Sequence, residues 1–202
     1  MVVSAVQGLL RTLMLTARRA LGGSAHLHTE DRRILEQVIL PEYARRIDIA
    51  RILFVGCAAY TQRYGELFGA REYWTIDPVA RLSRYGSRHH IVDQLQNLGN
   101  HAEPGYFDLI ICNGVLGWGL NAPEDADSAF AACLTHLRAG GELMLGWNNV
   151  APRNRVLPDD IAALRRFDHV AFGPAQTVRW AVDAANRHVF DFYRRPLPQL
   201  HG

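Results

Sequence analysis

Residues 107–147 read FDLIICNGVLGWGLNAPEDADSAFAACLTHLRAGGELMLGW. An apolar run of strand length, Phe107–Asn113, leads through a helical stretch, Pro123–Leu137, to a second apolar run, Glu142–Trp147. Proline suits the opening of that helix, because its missing N–H would have no partner in the first turn. Runs that are apolar throughout, rather than alternating, mark strands covered on both faces, the pattern of a parallel sheet with helices above and below. The same rhythm recurs outward from this unit. RILFVG at 51–56, YWTID at 73–77 and HHIVD at 89–93 precede it; HVAF at 169–172 and HVFDFY at 188–193 follow. Thr61–Phe68 and Pro158–Phe167 read as further helices. No long helical pattern separates the last two runs, and a parallel return needs a crossover of that kind, so the last strand is expected to enter antiparallel. The expected fold class is α/β: a doubly wound, seven-stranded, mostly parallel sheet behind an N-terminal helical appendage.

In that appendage Val3, Val6, Leu9, Leu10, Leu13 and Ala17 recur at helical spacing, broken by Arg11, Arg18 and Arg19. Charge at the end rather than the start is the wrong order for a secretory signal. An amphipathic helix that docks on the domain or on a second subunit fits better. Gly22-Gly23-Ser24 ends it, and a second helix follows with Thr29 as N-cap and Glu30 and Asp31 complementing the helix dipole. Pro41 is expected to break or re-aim this helix, which closes near Arg46. The division expected is residues 1–48 as lid, substrate or dimer segment and 49–202 as the main domain.

At 202 residues and 49% hydrophobic, the chain can bury one substantial core. All 22 basic residues are arginine, which removes Schiff-base chemistry and a phosphate-binding P-loop with its lysine. A formal charge of +2 with no long basic block argues against a nucleic-acid partner. Cys57, Cys112 and Cys133 are odd in number and far apart, so a disulfide framework and a cysteine zinc site are not expected; a reducing cytoplasm is the default. No apolar run approaches the ~18 residues of a membrane span, so no stable membrane insertion is expected.

Open parallel sheets bind ligands at the carboxyl ends of their strands. The residues there are Gly56-Cys57-Ala58-Ala59-Tyr60, Asp77-Pro78, Asp93-Gln94, Asn113-Gly114-Val115 and Trp147-Asn148-Asn149. A strand-end Asp fixed at Asp77 can accept two hydrogen bonds from a ribose diol, or simply cap its own turn. Pro78 and Val115 could wall an adenine, with Asp93 accepting from its amino group. A dinucleotide site also uses an acidic residue about 20 positions beyond its first glycine. It needs two further glycines for the pyrophosphate, however, and Ala58 and Thr61 occupy those positions.

From about Arg51 to Arg194 this arrangement resembles the class I S-adenosylmethionine-dependent methyltransferases of small-molecule type. The matching residues are Val55-Gly56-Cys57-Ala58, Asp77, Asp93, the run Phe107 to Leu116 and Leu137-Arg-Ala-Gly140-Gly141-Glu-Leu. The resemblance implies that Gly56, Cys57, Ala58, Tyr60, Asp77, Pro78, Asp93, Gln94, Asn113, Gly114 and Val115 line S-adenosyl-L-methionine. Phe54, Ala58 and Tyr60 stand where the family has an acidic residue and two glycines, so the loop path is expected to differ. Asn113-Gly-Val-Leu replaces the Asn-Pro-Pro-Tyr type associated with amino methylation of bases and glutamine.

Methyl transfer requires alignment and water exclusion, and a hydroxyl acceptor also needs a base or polarising partner. His28 and Asn148 are the candidate catalytic residues, with His26, Trp118 and Trp147 as candidate substrate contacts. Each has a plainer alternative: a surface or capping histidine, a turn asparagine, a core tryptophan. His26-x-His28 lacks a third ligand, so no metal is expected. The expectation is O-methylation of a small molecule, a sugar or other polyhydroxylated metabolite, in a cytoplasmic protein that forms a homodimer. The alternative is a non-catalytic, S-adenosylmethionine-binding regulator, motivated by the altered loop.

Overall fold

The computed structural model of the chain describes residues 29–151 and 154–198. The amphipathic pattern at 1–21, and with it His26 and His28, lies outside the described residues.

The described strands are β1 (Arg51–Val55), β2 (Glu72–Ile76), β3 (His89–Ile91), β4 (Phe107–Asn113), β5 (Leu137–Asn148), β6 (Asp168–His169), β7 (Arg179–Ala181) and β8 (His188–Arg194). They form one sheet in the order β3-β2-β1-β4-β5-β8-β6, with β7 also on β8. β1 to β5 pair in parallel, and β8 runs antiparallel beside β5, with Asn148 opposite His188 and Leu143 opposite Tyr193. The antiparallel last strand is as expected. An additional strand, β7, is not: β6 and β7 lie end to end along the outer edge of β8. Its short RWA sequence offers no apolar run because its side chains are only partly covered.

The alternation of side chains divides the core between the two faces of the sheet. Leu53, Val55, Ile110 and Cys112 face the helix Pro123–His136, whose Ala126, Ala129 and Phe130 are fully buried. Ile52, Phe54, Leu109 and Ile111 face the other way, onto Leu35, Ile39, Leu40 and Tyr43. Those four belong to a helical segment in three parts: α1 (Glu30–Ile34), a π-type turn (Leu35–Ile39) and α2 (Leu40–Arg45). Pro41 therefore does not break the helix. It has no N–H and its ring would crowd the carbonyl four residues back; the wider turn ahead of it absorbs both faults. The helix Pro123–His136 is α3.

Two expected helices are shorter than the pattern implied. Within Thr61–Phe68 only a 3-10 turn, Tyr64–Phe68, forms. A Cβ on Gly65 would stand 2.9 Å from the Tyr73 ring, so this segment presses against β2 as closely as a glycine allows. Pro158–Phe167 splits into Pro158–Asp160 and Leu164–Arg166, with Ile161 extended between them. Asp127 of α3 accepts the Ala163 N–H at 2.7 Å, a partner that competes with the helical one. No helix among the described residues is long and apolar enough to cross a membrane.

Candidate functional site

The tips of β1, β2 and β4 meet at one edge of the sheet. Gly56 has φ +86° and Gly114 φ +71°, backbone that side-chain-bearing residues adopt only with strain. Gly56 N–H donates to the Ile76 carbonyl at 2.9 Å, and Gly114 N–H donates to the Gly146 carbonyl at 2.8 Å. A Cβ on Gly56 would lie 3.3 Å from Val115 Cγ2, so the β1 and β4 loops approach closely here.

Asp77, 7% exposed, ties the loop after β1 to its own turn after β2. Its Oδ2 accepts the Cys57 N–H at 2.8 Å and its Oδ1 accepts the Val79 N–H at 2.8 Å. A carboxylate has about four lone-pair positions. With one bond on each oxygen among the described residues, each retains capacity for another, the number a ribose diol would use. The same carboxylate acts on Cys57: burial, and then the Asp77 charge, push the thiol up to about 11, so it is not a nucleophile at neutral pH.

Beyond Cys57 the loop closes on itself. Ala58 N–H donates to Thr61 Oγ1 at 3.0 Å, the Thr61 hydroxyl donates back to the Ala58 carbonyl at 3.0 Å, and Thr61 N–H donates to that carbonyl at 2.9 Å. Tyr60 sits beneath the Arg32 guanidinium, 3.8 Å from its ring centre. Arg32 also donates to the Tyr64 hydroxyl at 2.6 Å, and Tyr64 donates to Glu36 at 2.6 Å. The loop that departs from the glycine-rich pattern is thus pinned to α1 by an arginine–aromatic contact instead of close backbone packing.

Asp93 lies on the same edge, two residues past β3, whose Ile91 pairs with Ile76 of β2. Its Oδ1 takes the Gln94 N–H at 2.7 Å and the Asn97 side-chain amide at 2.8 Å, and its Oδ2 contacts His101 Nε2 at 2.9 Å. Hydrogen bonds from Asn97, His101 and the Gln94 backbone hold its carboxyl at about 2. Among the described residues His101 is the one partner of Oδ2. Pro78 and Gln94 are exposed, and Val115 is half-buried.

Asn113 and Asn148, ending β4 and β5, converge on a residue that the sequence reading passed over. His188 Nδ1 is 2.7 Å from Asn148 Oδ1, and His188 Nε2 is 3.2 Å from Asn113 Oδ1. His188 is 3% exposed, and burial lowers it to about 4; the Asp31 charge opposes this and the Arg32 charge adds to it. The available signal was directional. In parallel strands the last residue reaches the ligand edge, but in an antiparallel final strand the first residue does.

Trp147 is in the core at 4% exposure, its indole N–H donating to Asp191 at 2.8 Å. Trp118 is 39% exposed in the loop after β4. Among the described residues no group of three or more His, Cys, Asp or Glu is placed to hold a metal ion. An open recess at the opposite edge of the sheet includes Arg46, Glu142 and Arg194, whose charges are already paired at 2.9 and 3.0 Å.

The fold is that of the class I S-adenosylmethionine-dependent methyltransferases. The N-methyltransferase NodS from Bradyrhizobium japonicum WM9, in complex with S-adenosyl-L-homocysteine, superposes with a TM-score of 0.64 at 17% identity, over 90% of this chain and 97% of that one. The 1,6-didemethyltoxoflavin-N1-methyltransferase of Burkholderia thailandensis, with bound 1,6-didemethyltoxoflavin and S-adenosylhomocysteine, gives 0.62 at 17% identity, covering 96% of this chain and 90% of that one. A TehB-like methyltransferase from Corynebacterium glutamicum gives 0.57 at 17% identity, over 95% and 99%. No family model and no curated protein matches the sequence.

Proposed function

We propose that the protein is an S-adenosyl-L-methionine-dependent methyltransferase that methylates a hydroxyl group of a small-molecule acceptor. The observation that carries this reading is Asp77: a buried carboxylate at the strand tips, bonded to the loop after β1 at Cys57 and to its own turn at Val79, with one acceptor position left on each oxygen among the described residues. The fold supports it, and two of the structural neighbours hold S-adenosylhomocysteine.

When bound, the cofactor supplies a methyl group on a cationic sulfur. Asp77 holds the ribose hydroxyls, Asp93 Oδ2 meets the adenine amino group, and Val115 walls the base. Gly56 and Gly114 let the loops approach without a Cβ between them. The helical segment from Glu30 to Arg45 covers one face and excludes water on that side. No thiol takes part, since Cys57 stays protonated. The NodS and toxoflavin enzymes are N-methyltransferases, so the hydroxyl assignment rests on this chain's own asparagines and histidine rather than on likeness. The closed Ala58–Thr61 turn favours a second reading, a binder without turnover.

The test is release of S-adenosylhomocysteine from purified protein supplied with S-adenosylmethionine and panels of hydroxyl and amine acceptors. Turnover confined to hydroxyl compounds supports the proposal. Turnover on amines alone overturns the acceptor assignment, binding without turnover on either panel favours the regulator, and absence of binding removes both.

A further inference from the structure

The cluster of Asn113, Asn148 and His188 has a construction that capping or packing alone does not explain. Asn113 faces Gly146 across the β4–β5 pair, and Asn148 faces His188 across the β5–β8 pair. A Cβ on Gly146 would fall 1.8 Å from Asn113 Oδ1 and 2.9 Å from His188 Nε2. The glycine is therefore the gap in which the asparagine and the imidazole meet. All three side chains lie on the sheet face covered by α1, where Asp31 Oδ1 and Arg32 Nε are buried without a hydrogen-bond partner among the described residues. These are the charged groups that act on His188.

A neutral imidazole has one N–H and one lone pair, so it cannot satisfy two carbonyl oxygens. The shorter contact takes the proton: Nδ1–H donates to Asn148 Oδ1 at 2.7 Å. The lone pair on Nε2 then requires an N–H, which the Asn113 carboxamide supplies by turning its NH2 inward; oxygen and nitrogen of an amide are nearly the same size. The outer ends that remain have opposite character. Asn148 offers NH2 and Asn113 offers a carbonyl, and both residues are half-exposed.

We propose that His188 is a positioning residue for the methyl acceptor: gripping one asparagine with each ring nitrogen, it sets their free ends as one donor and one carbonyl acceptor, a pair that recognises a hydroxyl. This rests on the methyltransferase reading above. A hydroxyl donates to one amide and accepts from the other, whereas an alkyl group satisfies neither and leaves both desolvated.

Stable nitrogen-centred analogues of the cofactor test this without knowledge of the natural acceptor. In these a tertiary amine replaces the sulfonium and carries 2-hydroxyethyl or propyl in place of methyl. Affinities are compared with that of S-adenosylhomocysteine. The wild-type protein should favour hydroxyethyl over propyl by about tenfold, the equivalent of one hydrogen-bonded group. His188→Phe, which keeps a ring beside Phe190, and Asn148→Ala should each bring that ratio close to one. The ratio is the readout, so general loosening of the site cancels. Nitrogen NMR of the unsubstituted protein should show His188 as a single neutral tautomer at pH 7. A ratio near one in wild type, a ratio that survives both substitutions, or a protonated or mixed-tautomer ring would overturn the inference while S-adenosylhomocysteine still binds. If neither S-adenosylhomocysteine nor either analogue binds, the methyltransferase reading fails and takes the inference with it.

Discussion

Replacing Asp77 with Asn probes the carboxylate on which the proposed cofactor site is built. In the native protein two backbone N–H groups, from Cys57 and Val79, each end on a carboxylate oxygen at 2.8 Å. Asparagine keeps one oxygen and turns an NH2 toward the other N–H. The site is 7% exposed, so one donor is stranded away from water. An unsatisfied buried donor costs about 1–3 kcal/mol. At roughly 2–4 °C per kcal/mol for a chain of this size, the melting temperature should fall by about 2–12 °C. The effect on ligand is larger. The charge is lost, and one of the two outward acceptor positions is lost with it; each charge-assisted hydrogen bond contributes about 1.5–3 kcal/mol. Calorimetric titration with S-adenosylhomocysteine should therefore show Kd weakened by about one to two powers of ten. Circular dichroism and a thermal scan on the same sample establish that the variant is folded. A folded Asp77→Asn protein whose Kd stays within about threefold of wild type would refute the reasoning, since that is under 1 kcal/mol.

Three further outcomes follow from other parts of the molecule. Arg179→Ala should destabilise by about 3 kcal/mol in urea denaturation, because Asp191 is fully buried and loses its Arg179 partner at 2.5 Å while keeping the Trp147 N–H; a loss under about 1 kcal/mol would contradict this. His188, whose folded value of about 4 lies below the ordinary 6.5, binds its proton more readily in the unfolded chain. Its contribution is present above pH 6.5 and is lost as pH falls from there toward 4, by about 3 kcal/mol at most, and His188→Phe should flatten that part of the stability–pH curve. Cys57 should alkylate with iodoacetamide at pH 8 about a hundredfold more slowly than an ordinary thiol, since its value is raised to about 11; labelling at the ordinary rate would show that the loop opens freely.

Much of the fold was legible because buried parallel strands leave an unmistakable residue pattern. RILFVG and FDLIIC have no polar face to hide, and each emerges as a central strand. The helical cover was less legible. Whether Thr61–Phe68 could form a full helix depended on how closely Gly65 packs on Tyr73, and the fate of Pro158–Phe167 depended on Asp127, a residue of another element. Pro41 reads as a breaker locally, but the wide turn before it is a tertiary solution. β7 carries no periodic signal because only its edge position recommends it. At the candidate site, attention to residues that follow strands led to Asp77, Asn113 and Asn148, which the structure places at the strand tips. It missed His188, since β8 reaches the ligand edge with its first residue rather than its last. Asp93 shows a further limit: its sequence position says nothing of Asn97 and His101, which already occupy most of its carboxylate.

The most direct measurement is a crystal structure of the protein soaked with S-adenosylhomocysteine. The account predicts a nucleoside lying across the β1 and β4 tips, both ribose hydroxyls within hydrogen-bonding distance of the Asp77 carboxylate and the sulfur directed toward Asn113 and Asn148. A nucleoside bound elsewhere, with Asp77 touching only Cys57 and Val79, would contradict it.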